Sequence, residues 1–243
     1  ASFVSDKVMN IHLNDGSGVE EITAPTIILG TGGYSNVPNV PGLQEAGFLT
    51  SESLFGDKFP KQPYKSLAVL GAGPIGVEFA HVFASAGTEV TILQHNVRLV
   101  PKEDAEVSEH LLKNYRARGI NVVLNQDTVE IRQEDGLKIV ITKDRTTGEI
   151  LETKVEEILV AAGIRPAVEE LHLENTGIET RPKGWIKTNE FLETSVDGIY
   201  ALGDVNGEPA FRHRANYEAD IIAHNLFYAT SEDDYRWARY DTL

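Results

Sequence analysis

Three glycines, Gly71, Gly73 and Gly76, lie at a spacing suited to phosphate binding. An apolar strand is predicted before them, a helix after them, and a second strand closes the unit. We expect Gly71 to make the tight turn, Gly73 to let a pyrophosphate approach the backbone, and Gly76 to allow close packing of helix and strand. The helix opens with Pro74 and Ile75, where its dipole favours an anion. The pattern predicts a dinucleotide site, with a glycine-rich turn that binds no ligand as the alternative.

The end of the second strand should contact the adenosine ribose. An acidic residue there, roughly 20 residues beyond the glycines, would accept a hydrogen bond from the ribose 2′-hydroxyl. This chain instead has Gln94, followed by His95 and Arg98. No acid repels a 2′-phosphate, and two basic side chains could neutralise one, so we expect NADP(H) to be accepted with a slight preference over NAD(H). The alternative is that all three are solvated loop residues.

An α/β pattern positions these residues. Apolar runs and helical periodicity predict, in order, a strand over 66–70, a helix over 75–86, a strand over 89–93, a helix over 104–119, a strand over 121–124, a small antiparallel meander and a strand over 157–162. Outside this block we predict short strands over 1–30, a loop-like linker over 32–63, a strand over 198–202 and a helix over 215–228. The charge runs Glu103–Glu109 and Ser231–Asp234 are predicted to be solvated.

Composition excludes several classes of protein. The 243 residues carry 37 Asp and Glu against 22 Lys and Arg, a formal net charge of −15, which argues against nucleic acid and against an anionic membrane surface. No apolar run is long enough to span a bilayer, and the first residues resemble neither a signal nor a transit peptide. With no cysteine there is no disulfide framework, thiolate metal site or cysteine nucleophile, and we predict no metal site. A cytoplasmic protein is expected.

Three segments together resemble one family. Val69–Ala80 resembles the pyridine-nucleotide domain of the flavoprotein pyridine nucleotide–disulfide oxidoreductases, which include dihydrolipoamide dehydrogenase, mercuric reductase and glutathione reductase. Ile28–Gly33 is similar to the family's A-T-G segment, which leads out of the flavin domain. Thr194–Asp204, the most specific of the three, is similar to its second flavin motif. Their order and spacing match, so the resemblance covers nearly the whole chain.

The resemblance implies a fold and a function. The fold is α/β: a Rossmann-like βαβ NAD(P)-binding domain over 63–190 with a small antiparallel β-meander, flanked by partial FAD-binding domain segments over 1–62 and 191–243. The function is to position NAD(P)H for hydride transfer to N5 of FAD, as in dihydrolipoamide dehydrogenase. The cofactors carry the chemistry, while the protein supplies binding, orientation and electrostatics.

The resemblance also implies flavin-binding residues. Thr31 and Gly32 lie in the A-T-G-like segment, and Gly203 precedes Asp204, whose carboxylate would accept a hydrogen bond from the ribityl hydroxyls. His213 lies at a helix start that faces the flavin ring in the family. The alternative for His213 is a capping or packing role in the helix.

On the nucleotide side, Ala162 and Gly163 resemble the family's strand end beside the nucleotide. The family's usual G-R-x-P is replaced here by Gly-Ile-Arg-Pro over 163–166, so that Arg165 stands one position later than the arginine of the pattern. Glu78 corresponds to a glutamate that lies beneath the nicotinamide and pairs with a lysine near the flavin. The alternative for Glu78 is a first-turn acid favoured by the helix dipole.

Several family features are missing from these 243 residues. There is no second G-x-G-x-x-G for the adenine half of FAD, no C-x4-C redox pair and no dimer domain with a His–Glu pair. We therefore expect a truncated, central part of a homodimeric parent enzyme, inactive by itself and unable to hold FAD tightly. A non-disulfide flavoprotein such as an NADH oxidase or ferredoxin reductase, and a nucleotide-binding module without catalysis, remain alternatives.

Overall fold

The computed structural model describes residues 1–207, 209–229 and 236–239. Its strands are β1 (Ser2–Ser5), β2 (Val8–His12), β3 (Val19–Thr23), β4 (Ile27–Leu29), β5 (Gly33–Ser35), β6 (Ser66–Leu70), β7 (Glu89–Leu93), β8 (Asn121–Val123), β9 (Gln126–Glu134), β10 (Leu137–Asp144), β11 (Ile150–Val155), β12 (Glu157–Val160), β13 (Ile164–Pro166) and β14 (Ile199–Ala201). Its α-helices are α1 (Leu43–Ala46), α2 (Ser51–Phe55), α3 (Pro74–Ser85), α4 (Ala105–Ala117) and α5 (Arg212–Ala223).

The chain forms two compact units, one of residues 35–164 and one of residues 1–34 with 165–243. Residues 35–62 therefore share a unit with the glycine turn, and residues 165–190 share a unit with 1–34. The assignment of nucleotide-binding and flavin-binding domains to particular ranges stays a prediction.

The 35–164 unit is built on a parallel sheet with strand order β12-β6-β7-β8. β6 and β7 are apolar runs that are buried on both faces, as expected for central strands of a covered parallel sheet. Helices cover one face, where Val77, Ala80 and Phe83 of α3 pack with Tyr115 of α4. The antiparallel sheet β11-β10-β9 packs on the other face, through apolar side chains from each of its strands: Ile131, Val140 and Val155.

Helix α3 begins where the sequence predicts it, directly after the glycine turn. Pro74 is its first residue, a position at which the missing N–H costs no hydrogen bond. Helix α4 packs beside it, and the buried Tyr115 hydroxyl donates to the carbonyl of Val77 at 2.7 Å. Burial raises the pKa of that phenol. The contact ties α4 to α3, the helix that follows the glycine turn.

The second unit contains two small sheets and a core of its own. β1, β2 and β3 form an antiparallel sheet, and β4 pairs in parallel with β14. Its buried side chains include Phe3, Leu29, Ile186, Ile199 and Val205. Helix α5 adds Ile221 and Ile222, which pack around Leu192.

Most of the predicted elements are present, with three corrections. The linker predicted over 32–63 contains β5, α1 and α2, and α2 has a capping box in which Thr50 and Ser53 exchange side chain-to-backbone hydrogen bonds. The last helix begins at Arg212 instead of Ala215, and its end, His224–Tyr228, is π-helical. Residues 161 and 162 fall outside β12. The charge run Ser231–Asp234 lies outside the described residues. Among the described helices, none combines the length and apolarity needed to cross a membrane.

Candidate functional site

The candidate nucleotide site lies at the carboxyl ends of the parallel strands, the edge at which open α/β sheets bind ligands. The glycine turn leaves β6, Gln94 follows β7, and Ala161 follows β12. Main-chain hydrogen bonds continue the sheet into these turns: Gly71 N–H donates to Leu93 at 3.0 Å, and Ala161 N–H donates to Leu70 at 2.9 Å. Parallel pairing thus brings together residues that are up to about ninety positions apart in the chain.

The three glycines have different surroundings. A Cβ on Gly71 would lie 2.5 Å from the carbonyl oxygen of Ala161, and the φ of Gly71 is +104°. A Cβ on Gly76 would lie 2.2 Å from the carbonyl oxygen of Gly71. A Cβ on Gly73 would meet no atom within 4 Å. Two glycines are therefore required by the fold itself, whereas Gly73 borders open space.

Helix α3 begins at this open space. Gly73 is the N-cap, with no side-chain cap, and Pro74 and Ile75 follow it. Since Pro74 has no N–H, the free donors of the first turn are on Ile75 and Gly76, which have no intrahelical acceptor. These amides and the helix dipole favour an anion at this end of the helix.

Gln94 is buried, with 4% of its surface exposed, and is not a solvated loop residue. Its Oε1 accepts from the N–H of Ala72 at 3.1 Å, and its Nε2 donates to the carbonyl of Arg98 at 3.2 Å. Both ends of the side-chain amide are therefore engaged by the protein backbone. Its expected contact with a ribose is untested.

The basic residues that follow Gln94 are also engaged. Arg98 is half-buried, and its Nη2 donates to the carbonyl of Pro101 at 2.8 Å. The exposed His95 contacts Asp127 through Nδ1 at 2.7 Å. Arg145, on the turn after β10, lies 3.5 Å from the same carboxylate. The sequence reasoning missed Asp127 and Arg145, because no spacing rule connects them with His95.

The remaining predicted nucleotide contacts lie on the surface. Ala162 and Gly163 are exposed, and their carbonyls accept from the side chain and main chain of Asn36 at 3.2 and 2.8 Å. Glu78 is exposed and is the fifth residue of α3. The alternative explanation of Glu78 as a first-turn acid is wrong, because the helix begins at Pro74 and its first turn contains no acidic residue.

In the other unit, the parallel pair of β4 and β14 brings the predicted flavin segments to one edge. Thr31 and Gly32 follow the carboxyl end of β4, and Gly203 and Asp204 follow that of β14. The N–H of Leu202 donates to Leu29 at 3.0 Å and extends the pairing. Asp204 is half-buried in a short 3-10 turn.

A buried carboxylate holds that turn. Glu218 of α5 is fully buried, and its Oε2 accepts from the N–H of Gly203 at 2.7 Å and from Asn206 Nδ2 at 3.2 Å. Its Oε1 accepts from Arg214 Nε at 2.8 Å. Arg214 in turn donates to Asn206 Oδ1 at 3.0 Å. At the start of this helix the sequence predicted a site role only for His213, and it did not indicate that Glu218 and Arg214 hold the Gly203–Asp204 turn.

His213 and Arg165 have simpler surroundings. His213 is exposed in α5 and is not the N-cap, which is Phe211, so its alternative capping role is wrong. Arg165 pairs with Glu169 and lies 5.4 Å from the ring centre of Tyr34. Among the described residues, no cluster of three or more histidine and acidic side chains could hold a metal ion.

Comparison with known proteins identifies similar chains. The family model described as pyridine nucleotide-disulphide oxidoreductase matches residues 3–219. Mercuric reductase of Staphylococcus aureus is 34% identical over 225 residues, which are 93% of this chain and 39% of that protein. Dihydrolipoyl dehydrogenase of Corynebacterium glutamicum is 30% identical over 217 residues, 89% of this chain and 45% of that protein.

A solved structure is similar as well. The HOCl-induced flavoprotein disulfide reductase RclA from Escherichia coli, in its Cu(II) complex, superposes with a TM-score of 0.84 at 30% identity. The match covers 93% of this chain and 49% of that one. The chain thus spans less than half the length of each of these three relatives.

Proposed function

Because the chain belongs to the pyridine nucleotide-disulphide oxidoreductase family, whose members use FAD and NAD(P)H, we propose that its glycine turn binds the pyrophosphate of a nicotinamide dinucleotide. The observation that carries this proposal is the contrast among the three glycines. Gly71 and Gly76 are required by the packing of the turn, whereas Gly73 borders open space at the start of α3. A glycine with room beside it is what close approach of a phosphate to the backbone needs.

The residues around this opening fit a dinucleotide. The amides of Ile75 and Gly76 would donate to the pyrophosphate, and the dipole of the 12-residue helix α3 would favour its charge. Ala162 and Gly163 lie between β12 and β13 and would border the nicotinamide half. His95 and Arg98 would lie toward the adenosine phosphate, with NADP(H) accepted beside NAD(H).

A bound nicotinamide dinucleotide and FAD would supply the chemistry of hydride transfer from the nicotinamide to N5 of the flavin. The part of this chain is binding and orientation. Glu78, on the exposed side of α3, is the acid we assign to the nicotinamide end of the site. With no cysteine in its 243 residues, the chain supplies no thiol to accept electrons from a reduced flavin.

The second unit would hold part of the flavin. Thr31, Gly32, Gly203 and Asp204 would border the flavin phosphates and ribityl chain, and His213 would face the ring. The Glu218 network supports this assignment, because a buried carboxylate with several donors holds the turn that carries Asp204. The chain contains only one G-x-G-x-x-G, so the site for the adenine half of FAD is incomplete within these residues.

The proposal is tested with the purified 243-residue chain. Calorimetric titration with NADP+ and NAD+ should show binding of both nucleotides with about one site per chain, while ADP and nicotinamide alone should bind more weakly. The visible spectrum should show less than about one flavin per chain. A failure of both dinucleotides to bind would overturn the nucleotide site, and a yellow protein with a full complement of FAD would overturn the incomplete flavin site.

A further inference from the structure

The side-chain amide of Gln94 joins two turns at the nucleotide edge of the sheet. Its oxygen accepts from Ala72, in the middle of the glycine turn, and its nitrogen donates to the carbonyl of Arg98. Its main chain is equally engaged: the N–H donates to Val123 at 2.9 Å, and the carbonyl accepts from Gln126 at 2.9 Å. A side chain held in this way, with 4% of its surface exposed, has no freedom to reach a ligand.

Gln94 and Val100 together form hydrogen bonds with both backbone polar groups of Ala72. The N–H of Ala72 is bound by Gln94, and the carbonyl of Ala72 accepts from the N–H of Val100 at 2.8 Å. The two peptide groups that flank Ala72 therefore have set orientations. Gly73 comes next, so the direction in which its open side faces depends on these hydrogen bonds.

We propose that Gln94 is a positioning residue of the nucleotide site, whose amide holds the glycine turn in the shape that admits a pyrophosphate and which does not itself contact the ribose. This inference rests on the proposed nucleotide-binding function. It replaces the expectation that the residue at the end of the second strand contacts the adenosine ribose.

The chemistry at this position requires one acceptor and one donor. A carboxylate could accept from Ala72 but could not donate to Arg98, and its charge would face that carbonyl oxygen in a buried place. A protonated carboxyl group has the shape of the amide and can do both. Gln94→Glu should therefore be defective when the introduced group is ionised and restored when it is protonated. Burial and the facing carbonyl both raise the pKa of a carboxyl group above about 4.3.

Charged neighbours must be separated from this effect. The guanidinium of Arg98 donates to the carbonyl of Pro101, and the side chains of His95 and Arg145 both contact the carboxylate of Asp127. His95 is present in every variant, so any effect of its side chain on affinity is common to all of them. Gln94→Met keeps the length of the side chain and removes both hydrogen bonds without adding a titrating group.

Gln126→Glu is the matched control. Gln126 is also buried, but its side chain is bound to Thr142, Leu124 and Asp144 and makes no hydrogen bond with the glycine turn. The main-chain N–H of Gln126 donates to the carbonyl of Gln94, and the substitution keeps this bond. A carboxyl group at position 126 thus introduces a buried charge in the same unit without replacing a side-chain hydrogen bond of Gln94. It should lower stability without making nucleotide affinity depend on pH.

The experiment measures NADP+ affinity by calorimetry between pH 6.0 and 8.5, below the melting temperature of each variant. Gln94→Met should bind about 10-fold more weakly than wild type at every pH. Gln94→Glu should be weakened about 10-fold or more at pH 8.5 and should recover at least about half of that loss, on a logarithmic scale, by pH 6.0. The amide signal of Ala72 in NMR spectra should shift with pH in Gln94→Glu and not in Gln126→Glu.

The outcomes are distinguishable. If the wild-type chain binds NADP+ and the affinity of Gln94→Glu is unchanged, the inference is overturned while the nucleotide site stays in place. The same holds if the affinity of Gln94→Glu is reduced equally at all pH values. A pH-dependent affinity in Gln126→Glu of the same size would also overturn it, since the effect would then report general destabilisation. Absence of dinucleotide binding by the wild-type chain would overturn the proposed function and this inference together.

Discussion

A Cβ on Gly76 would lie 2.2 Å from the carbonyl oxygen of Gly71, so the first turn of α3 packs against the backbone of the turn that precedes it. Only a residue without a side chain allows this approach, because real Cβ atoms do not come so close to an oxygen. Gly73, between the two, has no such neighbour. The two glycines that the packing requires and the one that borders open space can therefore be separated by mutation.

Gly73→Ala should leave stability unchanged within about 1 kcal/mol, because its φ of −72° suits alanine and the added methyl group meets no protein atom within 4 Å. Dinucleotide affinity should nevertheless fall more than about 10-fold, or about 1.4 kcal/mol, because the methyl group occupies the approach to the backbone. Calorimetry and thermal unfolding measure the two effects. Gly76→Ala is the contrasting variant, with an expected loss of about 2 kcal/mol or more of stability. Unchanged affinity in Gly73→Ala would contradict the pyrophosphate site.

Arg98→Ala should weaken NADP+ more than NAD+, because only NADP+ carries the 2′-phosphate that a guanidinium would neutralise. One nitrogen of Arg98 is engaged by Pro101, so we expect a moderate effect, of about 3- to 10-fold. Affinities for both nucleotides are measured side by side. Arg132→Ala, which removes a cation paired with Glu130 in the meander, serves as the control. A selective loss of NADP+ affinity in Arg145→Ala, and not in Arg98→Ala, would indicate instead that the turn after β10 recognises the 2′-phosphate.

Glu218→Gln should destabilise the protein by about 2–4 kcal/mol. Donors from Gly203, Asn206 and Arg214 converge on this buried carboxylate, so an amide would turn its own N–H groups toward other donors. Chemical unfolding measures the loss. Asp220→Asn, at an exposed position of the same helix, should change stability by less than about 0.5 kcal/mol. Equal stability of the two variants would show that the network does not hold the turn.

The carboxyl group of Asp144 should titrate below its ordinary range. The N–H groups of Thr147 and Thr146 donate to it at 2.8 Å and hold its pKa down. A lowered pKa means that the ionised form favours the folded turn, so this contribution is present above about pH 4 and is lost as the pH falls through the folded pKa. NMR titration of the Asp144 carboxyl carbon and the Thr146 amide should give one coincident midpoint. A midpoint at or above about 3.9 would refute the assignment.

Local pattern was sufficient for the parallel sheet and the helices of the 35–164 unit that lie on it. β6 and β7 have the predicted bounds, because central parallel strands are buried on both faces and read as largely apolar segments. Helix α3 follows from its glycines, from Pro74 and from its periodic apolar residues. The family, too, could be identified from contiguous motifs, since each lies within about a dozen residues.

Short elements of the linker were harder to predict. Helices α1 and α2 have four and five residues, too short for apolar periodicity to distinguish them from a loop. Their stability comes from packing of Leu43, Ala46 and Leu54 against the rest of the unit. The capping box at Thr50 has Ser53 in place of the Glu or Gln of the usual signature, so it was not evident from the sequence.

The sequence by itself determined the glycine turn between β6 and α3, because such a turn depends on consecutive residues. Tertiary structure decided what each side chain near the turn does. Gln94 is 22 residues from Ala72, Asp127 is 32 from His95, and Glu218 is 15 from Gly203. These partners meet only when strands pair and a helix packs on them, and a hydrogen bond needs its two atoms within about 3 Å of each other. No pattern along the chain specifies such a distance, so burial and partnership at these positions come from the fold.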